Sequence, residues 1–82
     1  MPYHQVKIPK GIVGEVSKIK EEDLELEDAI HQKNPVMALV ELSDICAAIS
    51  EFLEKYHPSL KIYDIIVMSE ATRSAFKDGS RK

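Results

Sequence analysis

Eighty-two residues with a formal charge of −3 leave room for one small domain, residues 1–82, and not for two. A single cysteine rules out a disulfide framework, and none of the three histidines has the spacing of a zinc site. No apolar run is long enough to span a bilayer, no secretory leader is visible, and no basic stripe is broad enough to read nucleic acid, so the chain reads as soluble and cytoplasmic.

A lone chain of this size buries only about 60% of its unfolded surface, which predicts that it oligomerises. Residues 1–11 alternate loosely and end in Ile8-Pro9-Lys10-Gly11. Pro9 disfavours helix before it, so a short extended arm or edge strand is expected. Tyr3 and His4 have two readings. They anchor the arm to the rest of the fold, or they contact a bound base, Tyr3 by stacking and His4 through a hydrogen bond.

Ile12, Val16, Ile19, Leu26 and Ile30 recur at helical spacing and predict a first helix over about 12–32. Gly14 weakens its first turn, and Asp23 falls within the apolar stripe, where it needs a cation from a neighbouring helix. Seven acids crowd residues 15–28 against Lys18 and Lys20 alone. Three residues apart on a helix is one turn along one face, so Glu22 and Glu25 form a two-carboxylate ledge, with Lys18 beside Glu25. Glu21, Glu27 and Asp28 project elsewhere. Taken alone, such an acidic run is most simply a solvated face. His31 suits the negative end of the helix dipole.

Asn34-Pro35 joins a capping residue to one suited to the first helical position, and starts a second helix over 35–56. This helix is apolar around most of its circumference and is expected to be central. Ala38, Ala47 and Ala48 permit close approach, and Cys46 reads as a small buried residue. Glu41 and Asp44 form a second ledge. Glu41 projects between Met37 and Ile45, so it is expected to be buried and to need either a lysine or a metal ion. Two helices joined by so short a loop lie antiparallel, which can bring the ledges face to face. Converging carboxylates repel by several kcal/mol unless a cation lies between them, and oxygen-only ligands favour Mg²⁺, with Mn²⁺ as the alternative.

Tyr56-His57-Pro58-Ser59 reads as a loop, and a third helix runs over 62–78 with Gly79 as its terminator. Met68 is expected to fill core. Arg73 and Lys77, in a basic C-terminal region that also holds Arg81 and Lys82, are either surface charge at a helix end or a clamp for phosphate. No glycine-rich phosphate loop and no nucleophile elbow appear. The expected fold is all-α, an antiparallel helical bundle completed by oligomerisation.

Glu21, Glu22 and Glu25 as E-E-x-x-E, followed by Glu41 and Asp44 as E-x-x-D, resemble the signature of the MazG-like all-α nucleoside triphosphate pyrophosphohydrolases. The run A-L-V-E-L-S-D-I-C-A-A-I over 38–49 is similar to that family's second metal helix. The opening Y-H-Q-V-K-I-P and closing M-S-E-A-T-R-S-A-F-K-D-G resemble small phage-borne members, which would place the protein in the host cytoplasm. The resemblance implies Mg²⁺ held by Glu22, Glu25, Glu41 and Asp44, and hydrolysis of a nucleoside or deoxynucleoside triphosphate to monophosphate and pyrophosphate. It also implies a dimer or tetramer. Glu21 or Glu22 would assist catalysis, and Lys18, Arg73, Lys77, Tyr3 and His4 are candidate substrate contacts. Two other classes fit the same residues: a non-enzymatic helical interaction module, and a hydrolase of a guanosine alarmone.

Overall fold

A computed structural model describes residues 4–80; among them are three helices and no strand: α1 (Val16–His31), α2 (Pro35–Tyr56) and α3 (Ile62–Asp78). The fold is all-α. Tyr3, Arg81 and Lys82 lie outside the described residues.

Helix α1 begins at Val16 rather than Ile12. Gly14 takes a left-handed φ of 90°, and Glu15 is extended at φ −110°, ψ 161°. Ile12 and Glu15 close a turn instead, the Glu15 N–H donating to the Ile12 carbonyl at 2.9 Å, while Ser17 Oγ accepts from the Ile12 N–H at 3.0 Å. Glu15 caps nothing. Its carboxylate pairs with Lys55 and accepts the Tyr56 hydroxyl at 2.6 Å.

The turn between α1 and α2 is tightly specified. Lys33 adopts a left-handed φ of 55°; its N–H donates to Ile30 O at 3.0 Å, and the Asn34 N–H donates to Ala29 O at 3.1 Å. This pair of bonds satisfies the carbonyls that a helix C-terminus otherwise leaves orphaned. Asn34 then caps α2, its Oδ1 accepting the Met37 N–H at 3.0 Å, with Pro35 at the first helical position. Because Glu15 at the start of α1 meets Lys55 and Tyr56 at the end of α2, the two helices run antiparallel.

The seam between them is narrow. Ala29, Met37 and Ala38 are buried with Leu26 packed against them, and Ala48 and Leu53 are buried farther along α2. Among the described residues, no large side chain is fully buried. Helix α3 touches α2 but not α1, and buries none of its residues. It starts with Asp64 accepting the Lys61 N–H at 2.7 Å, and stops at Gly79, whose φ is 82°. The radius of gyration is 14.5 Å, against about 12 Å for a compact chain of this length.

Several expectations about burial are corrected. Cys46 is exposed, Met68 is 62% exposed, and Asp23 lies in solvent without needing a helix-borne cation. Ile12, Val16 and Ile30 of the first apolar stripe are likewise exposed. Helical periodicity identified an apolar face in each case; the single chain has too few layers to cover it. No helix among the described residues is long and apolar enough to cross a membrane.

Candidate metal centre

The antiparallel hairpin sets the two ledges opposite each other. One carboxylate oxygen from each of Glu22, Glu25, Glu41 and Asp44 falls within 4.8 Å of all the others. Glu22 and Glu41 are buried, while Glu25 and Asp44 are half-buried. Glu22 Oε2 and Glu41 Oε2 have no hydrogen-bond partner among the described residues. An orphaned buried carboxylate oxygen costs several kcal/mol unless something positive completes it. Burial pushes the Glu22 and Glu25 carboxyls above the ordinary glutamate value. At Glu25 the adjacent Glu41 adds to the effect, and at Glu22 Lys18 opposes it.

Lys18 is the basic residue nearest this group. Its Nζ lies 3.1 Å from Glu22 Oε1 and 3.3 Å from Glu21 Oε2, and Glu22 above all holds the ammonium in its charged form. Glu41 has no lysine partner among the described ion pairs.

Glu21 turns away from the four carboxylates, as its helical position predicts, yet it is buried. Its Oε1 accepts the Gly11 N–H at 2.7 Å. Burial alone would raise its pKa, but Gly11, Lys18 and Lys10 together hold it below the ordinary value. Gly11 sits so close to α1 that a Cβ there would lie 2.2 Å from the Ser17 carbonyl oxygen. Glycine is required for that approach.

Asp28 overturns its expected orientation. It lies one turn beyond Glu25, is buried, and receives the chain that precedes α1. Its Oδ2 accepts from His4 Nδ1 at 2.9 Å, from the Gln5 N–H at 3.0 Å and from Gln32 Nε2 at 2.7 Å. Burial works to raise the Asp28 pKa, and these donors outweigh it. Helical spacing offered one clue to this residue, since Glu22, Glu25 and Asp28 continue a single i, i+3 series.

Clefts flank the carboxylates on two sides. One, of about 420 Å³, is lined by His4, Glu25, Glu41 and Asp44 with an apolar wall of Val36, Met37 and Val40. The other, of about 310 Å³, presents Lys18, Glu22, Asp44 and Glu51 beside Val13 and Ala47. Arg73 and Lys77 line neither. Both are exposed on α3, and Arg73 pairs with Glu70 at 3.2 Å.

No protein-family model matches the chain, and no curated protein or solved structure matches it significantly. The donor chemistry therefore stands by itself. Carboxylate oxygens, two of them buried without partners, fit a hard divalent cation.

Proposed function

We propose that the protein is a Mg²⁺-dependent hydrolase of nucleoside or deoxynucleoside triphosphates, releasing monophosphate and pyrophosphate. The observation that carries this reading is the convergence of Glu22, Glu25, Glu41 and Asp44, with buried oxygens of Glu22 and Glu41 left unpartnered. These four residues hold the ion, with Mn²⁺ as the alternative. When bound there, Mg²⁺ neutralises polyphosphate charge and activates water for in-line attack.

The chain's own side chains supply the rest. Lys18 balances carboxylate repulsion at the Glu22 end and offers a donor to phosphate. The apolar wall of Val36, Met37 and Val40 gives a base a dry surface close to the acids. Glu21, occupied by Gly11 and Lys18, positions Lys18 rather than accepting a proton. The choice of the α–β bond follows from the resemblance of the E-E-x-x-E and E-x-x-D pair to the MazG-like enzymes. The working unit is a homo-oligomer, because the apolar surface of α2 and α3 is left exposed by the described residues of its own chain.

Product analysis tests the reading. Incubation with Mg²⁺ and each common NTP and dNTP should yield monophosphate and pyrophosphate with no diphosphate. Asp44→Asn should retain the fold and lose on the order of 100-fold or more in turnover, beyond the 10–100-fold typical of outer-shell changes. Diphosphate and free phosphate as products would refute the bond assignment. Wild-type turnover in Asp44→Asn would refute the site.

A further inference from the structure

Among the described residues, His4 brings a nitrogen donor up to the carboxylates. Asp28 accepts from its Nδ1 at 2.9 Å, which turns the other ring nitrogen, Nε2, toward the cluster. That Nε2 faces two more acceptors, Glu25 Oε2 at 3.8 Å and Glu41 Oε1 at 3.6 Å. One ligand atom from each of His4, Glu25 and Glu41 lies within 4.8 Å of the other two, a grouping that a single ion can bridge. Glu41 is only 3% exposed, and its second oxygen has no partner. The spacing also fits: two ligands at about 2.1 Å from a tetrahedral ion lie roughly 3.4 Å apart. Asp28, itself held by Gln5 and Gln32, stands where a carboxylate orients a metal-binding imidazole.

We propose that His4, Glu25 and Glu41 form a mixed nitrogen–oxygen subsite at one end of the carboxylate cluster, taking a borderline divalent ion such as Co²⁺ or Zn²⁺ in preference to Mg²⁺. Asp28 acts on it as a positioning residue. Imidazole is a good ligand for the later first-row ions and a poor one for Mg²⁺, so the two ends of the cluster differ in the ion they select. The inference rests on reading the cluster as a cation site, and adds to that reading which ion its His4 end prefers.

Calorimetric titration of the full chain with Mg²⁺, Mn²⁺, Co²⁺ and Zn²⁺ tests it. His4→Gln should weaken Co²⁺ and Zn²⁺ by tenfold or more and Mg²⁺ by less than about threefold; Asp28→Asn should move the same two ions by about 10–100-fold. Independently, Zn²⁺ should shift the Nε2 resonance of His4 in the wild type while Nδ1 keeps its proton. That measurement decides the matter if His4→Gln does not fold, with His31→Gln and His57→Gln assigning the ring by elimination. Equal losses for all four ions, no loss for any, or an unmoved His4 ring would overturn the subsite and leave the carboxylate cation site standing. If no ion binds at all, Mg²⁺ included, both readings fall.

Discussion

The Tyr56 hydroxyl donates to Glu15 Oε1 at 2.6 Å, and this contact closes the open end of the α1–α2 hairpin. Lys55 joins it on the other carboxylate oxygen, so an acid just outside α1 ties down the last turn of α2.

That contact has a pH signature. Lys55 first, and then Tyr56, hold the Glu15 carboxyl below its ordinary value. A lowered folded-state pKa stabilises above the unfolded pKa and is lost as pH falls through the folded one. Glu15→Gln should therefore lower the melting temperature at neutral pH and converge on the wild type in acid below the ordinary glutamate range. A constant offset at every pH would show that the carboxylate charge is not what matters.

Glu22 and Glu25 run the other way. Their raised folded-state pKa values favour stability below the unfolded glutamate pKa, and that contribution is lost as pH rises through the folded values. A cation that replaces those protons reverses the loss. Millimolar Mg²⁺ should raise the melting temperature over EDTA, and the increment should grow as pH rises above the ordinary glutamate range and the carboxyls ionise. Glu41→Gln should abolish the increment, and Glu27→Gln, exposed and outside the cluster, should not. Identical melting in EDTA and Mg²⁺ above that range would remove the metal centre.

Gly11→Ala should destabilise the protein by about 1–3 kcal/mol, the usual cost of overpacking. Its new methyl meets backbone of α1, the Ser17 carbonyl, which cannot swing aside as a side chain would. Relief of the clash pulls the Gly11 N–H off Glu21 and returns the Glu21 pKa upward. An unchanged denaturant midpoint would contradict the close approach.

Light scattering at micromolar concentration should give a mass at least twice the 9.3 kDa of one chain. Leu39 and Val67, both about 70% exposed, are the points to probe, and Leu39→Lys should shift the population toward monomer. Because α3 does not touch α1 in its own chain, a rise in KM for Arg73→Ala or Lys77→Ala would report a site shared between subunits. A monodisperse wild-type monomer would defeat the assembly.

What the sequence made legible was local. The i, i+3 spacing of Glu22 with Glu25 and of Glu41 with Asp44, and the stop–start grammar of Asn34-Pro35, act within a few residues, and the helices follow them. Cys46 and Met68 illustrate the opposite case. Periodicity marks a face as apolar, but whether that face is covered depends on how many layers surround it, and a single chain supplies too few. His4 does act as the anchor that one of its two readings expected, but Asp28, the residue it meets, was missed: an irregular segment has no period, so nothing in its pattern says where along α1 it lands. Gly11 likewise gave no sign that its missing side chain was needed for contact with Ser17.

The turn of Gln32, Lys33 and Asn34 also gauges the site. Lengthening a flexible loop usually costs little, and the segment between α2 and α3 should tolerate it. One residue added after Lys33 is different. It would separate the Asn34 N–H from Ala29 O and let the helices re-seat along their small-residue seam, where each residue of slip moves a ledge by about 1.5 Å and turns it by about 100°. Such a protein should keep its helical circular dichroism and lose its thermal response to Mg²⁺; retention of that response would show that the ledges are aligned by something other than the turn. Insertions, rather than substitutions, are thus the changes this short stretch is least able to absorb.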